Sequence, residues 1–259
     1  MRRHQDTITK ATGSPPVNFQ PLGGGCVSDV RKVTLQNGRE IVAKSGDAGS
    51  KLGLEGFMLR YLSNAGGLSG GAQTEAADLL AALHGVGAAT FSFDRATMIG
   101  GLHQPNAQSE NWVEFFRDQR LMFMARQALD GGRLPDGVMA RIEVLAGKLG
   151  DWLDTSATPS LIHGDLWGGN VLCDRGRISG FIDPAIYYAD AEIELAFSTL
   201  FATFGDAFFA RYQEHRPIRP GFFEERQDLC NLYPLLVHVR LFGGSYVASV
   251  EGTLTDFGC

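Results

Sequence analysis

Three side chains carry oxygen donors at a spacing that suits phosphoryl transfer. Asp165 and Asn170 lie in Leu161-Ile-His-Gly-Asp-Leu-Trp-Gly-Gly-Asn-Val-Leu172, and Asp183 closes Ile178-Ser-Gly-Phe-Ile-Asp-Pro184. Such a reaction asks for little covalent chemistry. It needs a carboxylate to orient the attacking hydroxyl and oxygen ligands that hold Mg2+ on the phosphates. Asp165 fits the first role. Asn170 and Asp183 fit the second, because Mg2+ favours hard oxygen donors.

The surrounding residues supply the geometry. Val171–Asp174 and Arg177–Ile182 read as short extended runs joined at 175–176. Folded as a hairpin, they bring Asn170 next to residues 181–183 of the opposite strand. Gly168 and Gly169 allow the tight backbone path between base and ligand. An isolated His-Gly-Asp is commonly a turn, and an apolar strand ending in Asp-Pro is a common strand terminus. The combination HxDxxxxN, hairpin spacer, apolar-apolar-Asp has the character of a kinase-type catalytic loop.

The rest of the chain must position that loop. Val17–Leu22, Val27–Leu35 and Glu40–Lys44 read as strands, with Asn37-Gly38 as a hairpin turn between the last two. Lys51–Asn64 has helical composition, and Ala76, Leu79, Leu80 and Leu83 form an apolar stripe. Ser109 is the expected N-cap of a helix carrying Trp112, Phe115, Phe116, Met122 and Phe123. Val138, Ile142, Leu145, Leu149 and Trp152 give the clearest amphipathic spacing. The aromatic stripes read as core. The expected fold class is therefore α+β, with a small strand-rich part before a larger helical one that contains an island of short strands.

Composition narrows the partners. The chain has 259 residues, 44% hydrophobic and 20% charged, and a formal net charge of −6. This is long enough to bury a sizeable core in two lobes. The acidic balance argues against a nucleic-acid partner or an anionic membrane surface. It is no obstacle to ATP, whose phosphates are held locally by amides, a lysine and metal ions. Cys26, Cys173, Cys230 and Cys259 form no CxxC pair and no zinc-ligand spacing. No run of about 18 apolar residues predicts a membrane span. The polar N-terminus lacks the apolar run of a signal peptide. Cytoplasmic localisation is the expectation.

The sequence resembles the fructosamine (ketoamine) kinase family, in the aminoglycoside-phosphotransferase-like branch of the protein-kinase superfamily. The cues are His163-Gly-Asp-Leu-Trp-Gly-Gly-Asn170, Ile182-Asp-Pro-Ala-Ile-Tyr-Tyr188 and Asp190-Ala-Glu-Ile-Glu-Leu-Ala196. Supporting them are Ile99-Gly-Gly-Leu-His-Gln-Pro-Asn106, Trp112, Phe115-Phe116, Arg120-Leu121 and Leu241-Phe-Gly-Gly-Ser-Tyr246. Gly168 stands where the family usually has serine. The resemblance covers Gly23 to Tyr246. It implies a protein-kinase-like two-lobed fold, with a β-rich N-lobe over residues 1–67 and a mainly helical C-lobe over 68–259.

The implied activity is ATP-dependent phosphorylation of a hydroxyl on a small sugar-amine substrate, a ketoamine (fructosamine or ribulosamine) or other glycated amine, with ATP and Mg2+ bound and a monomer or weak homodimer as the assembly. Lys44, ending Ile41-Val-Ala-Lys44, resembles the strand lysine on the phosphates; an edge-strand charge is the alternative. Glu55 resembles the helix glutamate that pairs with it; an exposed helix glutamate is the alternative. Gly24 and Gly25 belong to a glycine turn whose amides would face the phosphates. Trp167 resembles a platform for the sugar-like part of the substrate, with a packing tryptophan as the alternative. Cys26 follows the glycine turn, where amides would lower its pKa unless it simply fills space beneath.

One interval departs from the pattern. A kinase N-lobe has two further strands and the adenine-binding hinge between Asn64 and Ser69, and that takes roughly 15 to 20 residues. Missing residues would show as a chain break there, and an unbroken chain would mean a shortened N-lobe. Three other readings share parts of the signal. An aminoglycoside or small-alcohol kinase shares the core motif, and a pseudokinase-like nucleotide-binding module accounts for the missing strands. A metal hydrolase lacks a second histidine at useful spacing.

Overall fold

The computed structural model describes residues 2–21, 29–45, 72–174 and 177–259. The chain divides into two compact units, Met1–Gly53 and Leu54–Cys259. The division falls outside the described residues, as do the helix expected over 51–64 and the interval between Asn64 and Ser69.

The smaller unit opens with a helix, α1 (Arg2–Thr12), in the polar N-terminal stretch. Its apolar residues are few, Ile8 and Ala11. Its threonines stay helical by bonding backward along the helix, with Thr9 Oγ1 donating to Gln5 O and Thr12 Oγ1 to Ile8 O. A three-stranded antiparallel sheet follows: β1 (Pro16–Pro21), β2 (Asp29–Leu35) and β3 (Glu40–Ser45), in that order. The Asn37-Gly38 turn forms as expected. Gly38 has φ +81° and donates to Leu35 O at 2.9 Å, and Asn37 Oδ1 accepts from Arg39 N at 3.1 Å. Val33 and Leu35 are buried on one face, as strand alternation requires.

The larger unit is mainly helical. Helix α2 (Ala72–His84) buries Ala76 and Leu80 completely, on the stripe read from sequence. A short hairpin follows, β4 (Thr97–Ile99) with β5 (Leu102–Gln104). The next helix departs from expectation at its start. Asn111, two residues after Ser109, is the N-cap, and its Oδ1 accepts from Glu114 N at 3.2 Å. Ser109 instead bonds the Asn111 backbone in both directions and bridges to Phe91. The helix runs as α3 (Trp112–Phe115), a π-helical turn over Phe116–Leu121, and α4 (Met122–Asp130). The extra residue of a π turn re-aims the side chains after it, and Arg120 lies in that turn, fully buried. Helix α5 (Asp136–Ala146) buries Val138, Ile142 and Leu145, and Leu149 follows in a short 3-10 turn.

Four short strands interrupt the helices. β6 (Ser160–Ile162) pairs antiparallel with β9 (Tyr187–Ala189), and β7 (Val171–Asp174) with β8 (Arg177–Phe181). Then come α6 (Glu192–Leu200), α7 (Asp206–His215), a π turn over Phe222–Arg226, α8 (Gln227–Phe242) and α9 (Ser245–Asp256). Trp112, Phe115, Phe116, Leu161, Ile186, Tyr187, Leu232 and Leu236 belong to one buried cluster that joins the strands to these helices. Among the described residues, no helix is long and apolar enough to cross a membrane.

Candidate active site

The loop between β6 and β7 carries Asp165, Trp167 and Asn170. Its entry is fixed by Gly164, which has φ +83°. A Cβ at that position would lie 2.2 Å from Ala185 O, so only glycine fits. Ala185 N donates to His163 O at 2.8 Å, continuing the β6–β9 pairing past the strand ends. Asp183 and Ala185 are thereby drawn alongside the entry of the loop.

At the exit of the loop, Asn170 is buried and turns back on Asp165. Its Nδ2 donates to Asp165 O at 2.7 Å and to Asp165 Oδ2 at 2.9 Å. The amide nitrogen is thus committed to Asp165, so Oδ1 is the hard oxygen that Asn170 can offer a cation. The hairpin register follows the sequence reading. Val171 pairs with Phe181, and Ile182 N donates to Asn170 O at 3.0 Å, next to Asp183 in the chain. Asp183 has φ +53°, a left-handed backbone that a non-glycine residue adopts rarely. The structure thus brings Asp165 and Asn170 into direct contact and brings the Asp183 backbone to the same hairpin end. Trp167 lies over Gly169, where a Cβ would come within 2.3 Å of the indole. This gives the second glycine of the loop a specific cause. The Lys44 backbone pairs with Val30 in the β2–β3 ladder. Its side chain, and Gly24, Gly25, Cys26 and Glu55, lie outside the described residues.

The sequence reading assigned no role to the groups that hold this loop from beneath. Glu194, in the first turn of α6, is fully buried and accepts three hydrogen bonds. Its donors are His163 N (2.9 Å), Gly164 N (2.6 Å) and His84 Nε2 (2.9 Å). A carboxylate can only accept, so His84 Nε2 carries a proton. His84 Nδ1 then lies 2.7 Å from the Tyr212 hydroxyl, which donates to it when the ring is neutral. Burial alone raises the Glu194 pKa, but the hydrogen bonds and charge from His84 and His163 more than offset it, and the carboxyl titrates below its ordinary value. Burial pushes the His163 imidazole in the other sense, below its ordinary 6.5, opposed in part by Glu194. Two backbone amides of the loop are therefore tied to a buried anion.

A second polar chain backs the Asp183 segment. Gln104 Nε2 donates to Ala185 O (3.0 Å) and Thr97 Oγ1 (2.7 Å), and Tyr233 donates to Gln104 Oε1 (2.6 Å). Arg120 donates to Asn106 Oδ1 and Pro105 O, both at 2.6 Å, with its guanidinium 3.7 Å from the centre of the Tyr187 ring. Gln104, Asn106 and Arg120 all lie in motifs recognised from the sequence. Polar residues inside otherwise apolar segments were the available signal, but spacing alone says nothing of their partners.

Comparisons with known proteins bear on the family and the fold. A family model described as fructosamine kinase matches residues 42–257. A probable ketoamine kinase of Synechocystis sp. is 39% identical over 179 residues, 68% of this chain and 58% of that protein. The chloroplastic protein-ribulosamine 3-kinase of Arabidopsis thaliana is 32% identical over 194 residues, 74% of this chain and 59% of that protein. The match therefore spans less than two thirds of the length of either relative. The solved structure of a candidate fructosamine-3-kinase from Thermobifida fusca superposes with a TM-score of 0.87 at 27% identity, covering 98% of both chains. That likeness bears out the α+β, protein-kinase-like fold. With a family match that takes in the loop, the Asp183 strand and the Glu194 helix, this chain belongs to the fructosamine kinase family.

Proposed function

We propose that the protein transfers the γ-phosphoryl group of ATP to a hydroxyl of a ketoamine, a fructosamine or ribulosamine. The observation that carries this reading is the Asn170–Asp165 contact inside a loop clamped by Glu194. It supports Asp165 as the carboxylate that would meet an acceptor hydroxyl, and it leaves the Asn170 amide oxygen as the atom that would bind a cation. Asp165 orients the hydroxyl and takes its proton. Asn170 and Asp183 are the residues that would hold Mg2+, which neutralises charge on the phosphates when bound. Lys44, with Glu55 as its expected partner, and the amides of Gly24 and Gly25 would hold the phosphates. Trp167 faces the sugar-like part of the acceptor. In this reading residues 1–67 form the N-lobe and 68–259 the C-lobe, and the protein acts in the cytoplasm as a monomer or weak homodimer.

The family supports ketoamines over other acceptors, as do the names of the relatives in Synechocystis and Arabidopsis. The test is ATP consumption by the purified protein with fructose- and ribulose-adducts of lysine, aminoglycosides and choline-like alcohols. Turnover confined to the ketoamines is expected. Preferential turnover of an aminoglycoside or simple alcohol moves the protein to a sister activity. Binding of MgATP with no turnover of any acceptor makes it a nucleotide-binding module.

A further inference from the structure

Trp167 begins a continuous aromatic ridge that leads away from the catalytic loop. Its ring meets Phe201 edge-on at 6.0 Å. Phe201 lies 6.2 Å from Phe197 and 5.1 Å from His238. His238 in turn lies 5.7 Å from Phe242 and 4.8 Å from Tyr246. The members come from the loop, the end of α6, the last turns of α8 and the first turn of α9. Packing accounts for part of this cluster, because Phe197 is buried. It does not account for Phe201 and Phe242, which are 38% and 52% exposed. Exposed rings joined to a reactive loop are a feature of ligand contact surfaces.

The imidazole within the ridge has a defined state. His238 Nδ1 lies 2.7 Å from Pro234 O. A carbonyl only accepts, so Nδ1 carries the proton. Burial also favours the neutral ring by lowering its pKa. Nε2 is then a lone-pair acceptor set among aromatic rings. A ketoamine differs from a plain sugar by its secondary amine, which is protonated near neutral pH. Aromatic faces attract such a cation through their quadrupole, and a neutral imidazole nitrogen accepts its N–H.

We propose that the ridge of Phe201, His238, Phe242 and Tyr246 is the subsite for the protonated amine, with Trp167 at the boundary to the sugar. The inference rests on the ketoamine reading and extends it, because it assigns the discrimination between a glycated amine and a neutral sugar derivative to the α6–α8–α9 corner. His238 and the rings bind the acceptor and take no part in moving the proton at Asp165.

The test is steady-state kinetics of wild type, Phe242→Leu, Phe201→Leu and His238→Gln with two acceptors. One is a fructosamine of a simple alkylamine, and the other is the ether of the same shape in which oxygen replaces the amine. The wild type should favour the fructosamine by about tenfold in kcat/KM, and each substitution should raise KM for the fructosamine by about five- to tenfold. The KM values for the ether and for MgATP should stay within about twofold, since neither contains the ammonium. Phe242→Leu changes an exposed ring, so it remains a valid arm even where a more buried substitution unfolds the protein. Equal changes for both acceptors, or an unchanged fructosamine KM in Phe242→Leu and His238→Gln, would overturn the subsite and leave the ketoamine activity standing. A wild type that phosphorylates no fructosamine would remove both.

Discussion

Glu192 and Glu194 leave the first turn of α6 two residues apart, and they serve different regions of the larger unit. Glu194 faces the loop that carries Asp165, where it accepts from the His163 and Gly164 amides and from His84. Glu192 faces the π turn before α8, where Arg226 grips it in bidentate fashion at 2.7 and 3.0 Å. Arg219 adds a contact at 3.0 Å and also binds Asp154 and Asp190. Both carboxylates titrate below their ordinary values even though burial alone would raise them. The difference lies in their partners. Glu192 balances two arginine side chains that keep other partners, Asp154 and Asp190 for Arg219 and backbone carbonyls for Arg226. Glu194 holds backbone amides of the loop that carries Asp165, so a change there reaches that loop as well as the packing of α6.

The largest effect should come from the group the loop exists to present. Asp165→Asn should lower kcat by about a thousandfold while MgATP binding and the melting temperature stay close to wild type. Asp183→Asn should weaken MgATP binding as well. Equal, mild losses from both would remove the division of roles and weaken the functional half of the comparison.

The two glutamates give the direct contrast. Glu194→Gln removes the charge from a fully buried cluster and should cost about 3 kcal/mol in urea unfolding. It should also lower kcat, because the loop amides lose a charged acceptor. Glu192→Gln leaves Arg226 its contacts with the Pro220 and Arg219 carbonyls. It should cost about 1 to 2 kcal/mol, with kcat unchanged. Kinetic losses of equal size in the two variants would show that α6 acts as a single scaffold and that the contrast is illusory.

The pH dependence of stability sharpens the same contrast with a smaller effect. His163 has its folded pKa depressed, so its contribution is present above 6.5 and is lost as pH falls below that value. Glu194 is also depressed, and its contribution is present above 4.5 and lost as pH falls through the lower folded value. Unfolding free energy should therefore decline in two stages on acidification. In Glu194→Gln the lower stage should flatten. An unaltered acid profile in that variant would show that Glu194 is not the group being protonated.

The local geometry of the loop was legible in the residues themselves. His-Gly-Asp to Asn170, a hairpin and a strand ending at Asp183 are short-range patterns, and their hydrogen bonds close over a few residues. The helical stripes of α2 and α5 were legible for the same reason, since burial repeats with the helical period. Less visible were the shift of the N-cap from Ser109 to Asn111, the π turn around Arg120 and the helical form of Arg2–Thr12. Each depends on competition between nearby polar groups or on tertiary packing that outweighs local preference.

What only the tertiary structure decided is the support of the site. Glu194 meets the His163 amide across 31 residues, His84 meets Glu194 across 110, and His84 meets Tyr212 across 128. Nothing in the spacing of a glutamate, a histidine and a tyrosine announces such a chain. A buried charge has no periodic signature, and it is tolerated only where folding brings enough donors to replace water. By itself the sequence determined which groups could do the chemistry, because that depends on residue type and short-range reach. Folding decided which distant groups would hold them in place, because desolvation and hydrogen bonding are settled only when the chain is packed.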